Sequence, residues 1–118
     1  MTEKEFWGFL EQRGKMDMIS GSIVTGDIAV DSVGEFMAAH ALLPKDYDNL
    51  TEENIQDIGG ILFQENIQKR TKEAVLILLA HQVSELALAI LTRYNLRPDK
   101  EIFSFAKLAL DESLIWNE

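Results

Sequence analysis

Thr71-Lys72-Glu73-Ala74-Val75-Leu76-Ile77-Leu78-Leu79-Ala80 is the stretch that decides how the rest of this 118-residue chain is read. From Ala74 to Ala80 no position is polar, so a helix through it is apolar around its whole circumference and must be enclosed by other elements. The run is far shorter than the roughly 20 residues that cross a bilayer, which argues against a membrane span. The pattern predicts a helix over about 67–82 in the middle of a helical body.

The flanking sequence is punctuated like helices too. Ser84 stands where an N-cap would open a following helix, with Leu86, Ala87, Ala89, Ile90 and Leu91 directed inward. Asn95 to Pro98 marks a turn, after which Asp99 is the expected N-cap of a last helix that buries Ile102, Phe105, Ala106 and Ala109. Lys100, Ser104, Lys107 and Asp111 fall on that helix's opposite face. Upstream, Thr51 followed by Glu52 and Glu53 predicts a helix whose inner stripe is Ile55, Ile58, Leu62 and Phe63. Gly59 and Gly60 interrupt it, at a cost of roughly 1 kcal/mol each against alanine, so they serve a close helix approach or a bend.

Ser32 with Glu35 has capping-box spacing ahead of the apolar run Phe36 to Leu43, which Pro44 ends. Thr2 with Glu5 repeats that spacing, and Phe6, Phe9 and Leu10 share one face of a helix over 2–13 that Gly14 would stop. Residues 15–31 are the exception. Ile19, Ile23, Val24, Ile28 and Val30 fit a hairpin about as well as a short helix within a loop; the second is expected, because a lone hairpin is marginal. The fold class is therefore all-α: five to six helices in antiparallel pairs, in one domain over 1–118, with an irregular segment at 15–31.

Composition sets limits on function. Apolar residues at 47% and charged residues at 26% describe an ordinary globular chain, and the absence of cysteine excludes disulfides and thiolate chemistry. A formal charge of −9 argues against binding a phosphate backbone, which needs a basic surface. The acidic-polar stretch Thr2-Glu3-Lys4-Glu5 does not read as a basic-then-apolar leader, so a cytoplasmic location is expected. The charge is uneven. Residues 31–66 hold eight acids against one base, and residues 67–97 five bases against two acids. Asp46, Asp48, Glu52, Glu53 and Asp57 form the densest acidic group. Together with the Lys69, Arg70 and Lys72 that follow, they read either as solvated helix faces and helix-end charges, acids near N-termini and bases near C-termini, or as a face that steers a basic protein partner.

Catalytic signals are thin. Gly21 and Gly26 have the spacing of a phosphate-binding loop, but Asp27 and Ile28 stand where lysine and a hydroxyl residue are required. Ser84 and Ser113 have no base near them in sequence. His40 and His81 each end an alanine-rich run, where helix carbonyls can accept from the imidazole; a structural role is expected for both. Glu85, four residues after His81, would be their natural third ligand, but Ser84 begins a new helix and breaks that face. Neither a metal nor a cofactor is assigned. Trp7, Tyr94 and Trp116 are expected as lids at helix ends.

Residues 73–114 resemble the short HEAT-like repeats of α-solenoid proteins. The matching residues are Ala74 to Ala80, then Ser84-Glu85-Leu86-Ala87, then Arg97-Pro98-Asp99, then Ile102, Ala106, Ala109, Leu110 and Leu114. Ala80 and Ala109 repeat at a solenoid-like interval. Phe103 replaces the basic residue common in that family, and the 44–50 connection is longer than its tight turn. Ala39-His40 and Ala80-His81 form a second, fainter echo. The resemblance implies a protein-interaction module; the acids of 46–57 are expected to edge its binding face, and their charge points to a partner protein of basic character, with no cofactor expected. A homo-oligomer is left open; nucleic acid and membrane are not expected partners. Two alternatives are an immunity-type inhibitor of a basic toxin or enzyme, and a helical enzyme or small-ligand binder with a pocket near Gly59–Gly60.

Overall fold

The computed structural model describes residues 1–13, 32–44 and 46–118, and every regular element among them is helical. Six α-helices follow in order: α1 (Glu3–Arg13), α2 (Ser32–Ala39), α3 (Glu52–Gly60), α4 (Lys69–Ala80), α5 (Glu85–Leu96) and α6 (Phe103–Trp116). Short 3₁₀ turns extend α2 and α3 at His40–Leu42 and Ile61–Phe63, and a third, Lys100–Ile102, leads into α6. No helix here is long and apolar enough to cross a membrane, among the described residues. The expected irregular segment at 15–31, the glycine pair at Gly21 and Gly26, and Gly14 lie outside the described residues.

The apolar run occupies the centre. Every residue from Ala74 to Ala80 is at most 2% exposed, and Thr71 is fully buried. The enclosure comes from packing on several sides: α2 against α4 and α6, α3 against α4 and α5, and α4, α5 and α6 each against the other two. Phe6 and Leu10 of α1, Phe36 and Ala39 of α2, Ile55 and Ile58 of α3, Leu91 of α5 and Phe105 of α6 join α4 in one apolar cluster.

Local capping explains three of the helix starts. Thr2 and Glu5 exchange both capping-box bonds, 2.8 and 3.1 Å. Thr51 accepts from the Asn54 backbone N–H at 3.1 Å, and the Asn54 side chain answers the Thr51 N–H. Ser84 accepts from the Ala87 N–H at 3.1 Å. α4 is different, because its N-cap Gln68 makes no side-chain cap. Glu3 of α1 supplies one from a distance, accepting from the Gln68 N–H at 3.2 Å and from the Thr71 hydroxyl, which in turn accepts from Trp7 Nε1 at 3.0 Å. Lys69, Arg70 and Lys72 stand in the first turns of α4, so the macrodipole does not account for bases there.

Other sequence expectations need correction. Asp99 precedes the 3₁₀ turn but caps nothing with its side chain. Its carboxylate instead accepts from Lys72 Nζ at 2.6 Å and from the Tyr94 hydroxyl. Phe63 was expected inside and is 47% exposed; the tightening to 3₁₀ geometry at Ile61 rotates it outward, where the Arg93 guanidinium lies 4.9 Å from its ring centre. Ala89 is exposed as well, because the buried stripe of α5 runs through Ala87, Leu91 and Tyr94. Gly59 serves close approach: a β-carbon there would meet Ile90 Cδ1 at 2.6 Å, whereas one on Gly60 would meet nothing within 4 Å.

The linker between α4 and α5 is held at Gln82. Its side-chain amide donates to the carbonyls of Tyr47 (2.6 Å) and Leu78 (2.9 Å), and its backbone carbonyl accepts from Asn117 Nδ2 at 3.0 Å.

Candidate functional site

At one end of α4 the fold gathers both histidines and a carboxylate. His40 lies in the 3₁₀ turn after α2, His81 is the C-cap residue of α4, and Glu112 comes from α6. Glu112 reaches His81 Nε2 with Oε2 at 2.6 Å and His40 Nε2 with Oε1 at 3.3 Å. The three potential ligand atoms lie within 4.8 Å of one another. The imidazoles meet edge to face, with ring centres 4.9 Å apart.

The far nitrogen of each ring is fixed by its own helix. His40 Nδ1 is 2.9 Å from the Phe36 carbonyl and His81 Nδ1 is 2.8 Å from the Ile77 carbonyl, both one helical turn back. A carbonyl only accepts, so each Nδ1 carries a proton, and in the neutral ring Nε2 carries the lone pair. The helix-end anchoring expected from sequence is therefore present at both residues. What the sequence reading missed is Glu112. Phe105, Ala109 and Glu112 follow helical spacing, so this acid continues the buried stripe of α6 by one turn; that was the available signal. Glu85, the acid considered from sequence, is exposed at the start of α5.

Aromatic rings frame the cluster. Phe36 stands edge-on to His40 at 5.1 Å, Tyr47 to His81 at 5.6 Å, and Trp116 lies 6.1 Å from His81. Trp116 Nε1 is 3.4 Å from Glu112 Oε2, a weak outer contact on the carboxylate. Side-chain exposure rises from 6% at His81 through 21% at Glu112 to 31% at His40, so solvent reaches the group from the α2 side. Trp116 is half exposed and covers the rim; Tyr94, also expected as a lid, is instead fully buried beside Asp99.

The acidic residues picked out by sequence occupy a separate place. Asp48 is exposed in the turn before α3, and Glu52, Glu53 and Asp57 are exposed on α3 itself; Asp46 is half-buried in that turn. An open polar recess of about 570 Å³ lies elsewhere, between the Gln64–Lys69 segment and the Asp99–Ile102 turn, beside the Lys72–Asp99 pair. In that pair the Lys72 ammonium, followed by the Tyr94 hydroxyl, holds the Asp99 carboxyl below its usual range, while burial pushes the Tyr94 phenol up. The space at Gly59 is filled by Ile90.

The chain matches no protein-family model, no curated protein and no solved structure.

Proposed function

We propose that this protein is a non-enzymatic interaction domain, a small HEAT-like helical stack that docks a basic partner protein through the exposed acids of α3 and the turn before it. The observation that carries the reading is the exposure of Asp48, Glu52, Glu53 and Asp57 within α3 and the turn that leads into it. No ion pair joins these four to a base among the described residues. Elsewhere charge is compensated at short range, as in the buried Lys72 with Asp99 and the surface pair Lys107 with Asp111. A field concentrated in one segment accelerates encounter with a basic surface more than it deepens the final affinity.

The test begins with the protein that co-purifies from native lysate at low salt. Its association rate is then compared between wild type and a variant carrying Asp48→Asn, Glu52→Gln, Glu53→Gln and Asp57→Asn. The variant should associate more slowly while dissociating at a similar rate, and the difference should fade as salt screens the charges. An association rate indifferent to both salt and the four amides would remove this reading.

A further inference from the structure

We propose that His40, His81 and Glu112 form a binding site for one divalent transition-metal ion of the zinc class. Three groups that offer electron pairs, two Nε2 atoms and a carboxylate, converge within 4.8 Å with no proton donor of their own between them. Both Nδ1 protons are committed to the Phe36 and Ile77 carbonyls, at 2.9 and 2.8 Å. A neutral imidazole held this way points a lone pair at the Glu112 carboxylate, and like ends repel. The meeting point therefore requires a positive occupant, either protons on the rings or a metal ion.

The surroundings favour the metal. Donation of Nδ1–H to a backbone carbonyl is the outer-shell arrangement that orients a ligating histidine and raises its basicity. Two imidazoles and one carboxylate suit zinc and its late first-row neighbours; calcium and magnesium require more oxygen ligands than this cluster supplies. In a tetrahedral zinc site, ligand atoms stand about 3.4 Å apart, from metal–ligand distances near 2.05 Å. Of the two contacts to Glu112, the one at 3.3 Å already matches that spacing, while the one at 2.6 Å is well short of it, so the carboxylate must turn away from His81 to make room. With three protein ligands, a fourth position is left for water or an outside donor, and the partly exposed His40 side gives it access. The ligands come from three elements, with His40 and Glu112 72 residues apart in the chain, so an ion would staple α2, α4 and α6 together.

The test uses tag-free, metal-stripped protein titrated with ZnCl₂ by calorimetry. One saturable site per chain is expected, together with a rise in thermal midpoint of at least about 5 °C at saturation. Glu112→Gln and His40→Gln should each weaken binding by at least about tenfold, since even outer-shell changes act on that scale. Glu85→Gln should leave it unchanged. Because the chain has just two histidines, the imidazole ¹⁵N spectrum of the wild type reports the ligands directly and does not depend on any variant folding. Both Nε2 resonances should shift together on adding Zn²⁺. Absence of a saturable site, undiminished binding in Glu112→Gln, or a shift at one histidine or neither would overturn the proposal and leave the cluster a proton-bridged ion pair.

Discussion

One missing β-carbon decides how closely α3 and α5 meet. At Gly59 a methyl group would press on Ile90 Cδ1 at 2.6 Å and Cγ2 at 3.0 Å, and the branched Ile90 has few rotamers to retreat into. Gly59→Ala should therefore lower stability by about 1–2 kcal/mol, overpacking outweighing the gain in helix propensity. Gly60 is the opposite case. Its backbone is already helical at φ −60° and ψ −26°, and its surroundings are open. Gly60→Ala should raise stability by about 0.5–1 kcal/mol, chiefly by restricting the unfolded chain. Urea unfolding of the two variants checks both signs, and equal effects would contradict this division of roles. From sequence the two glycines were indistinguishable, because the difference lies in Ile90, 31 positions away from Gly59 and on another helix.

Between elements, a carboxylate joins the start of α4 to the end of α5. Asp99 accepts from the buried Lys72 of α4 and from Tyr94 of α5, and its carboxyl is held below the ordinary value of 3.8. A group whose folded pKa is depressed contributes stability above its unfolded pKa and loses it as pH falls through the folded value. Asp99→Asn should thus be less stable than wild type at neutral pH, with the gap narrowing as acid protonates Asp99 below pH 3.8. Unfolding midpoints near pH 7 and near pH 3 test this; a gap that stays constant would mean the ion pair contributes nothing. Sequence placed Asp99 correctly at a helix start but gave it the wrong task, since a capping residue and an ion-pair partner look alike until the lysine 27 residues upstream is brought beside it. The same limit hid the cap on α4, which Glu3 provides from another helix. Caps within four residues, at Thr2, Thr51 and Ser84, were legible because both partners lie in one window.

At the scale of the molecule, the apolar circumference of 74–80 was enough to place α4 in the middle, because such a helix has no face to offer water. Leu78, 1% exposed, should cost about 2–5 kcal/mol when cut to alanine, a large share of the roughly 5–15 kcal/mol that holds a domain. Equilibrium unfolding measures it, and a loss below about 1 kcal/mol would mean that the surrounding helices collapse into the gap. The histidine cluster was half legible. Each histidine's carbonyl anchor follows from its place at a helix end, but their meeting depends on how α2, α4 and α6 are arranged, which no local pattern encodes. The Gln82 amide gives that arrangement a mechanical meaning. It grips the 44–50 connection on one side, and on the other its carbonyl is gripped by Asn117, the residue after Trp116. A load hung on the tail, such as a fused cargo, would be transmitted straight to the elbow beside His81, in the interior of the fold, and would not be absorbed at its fringe.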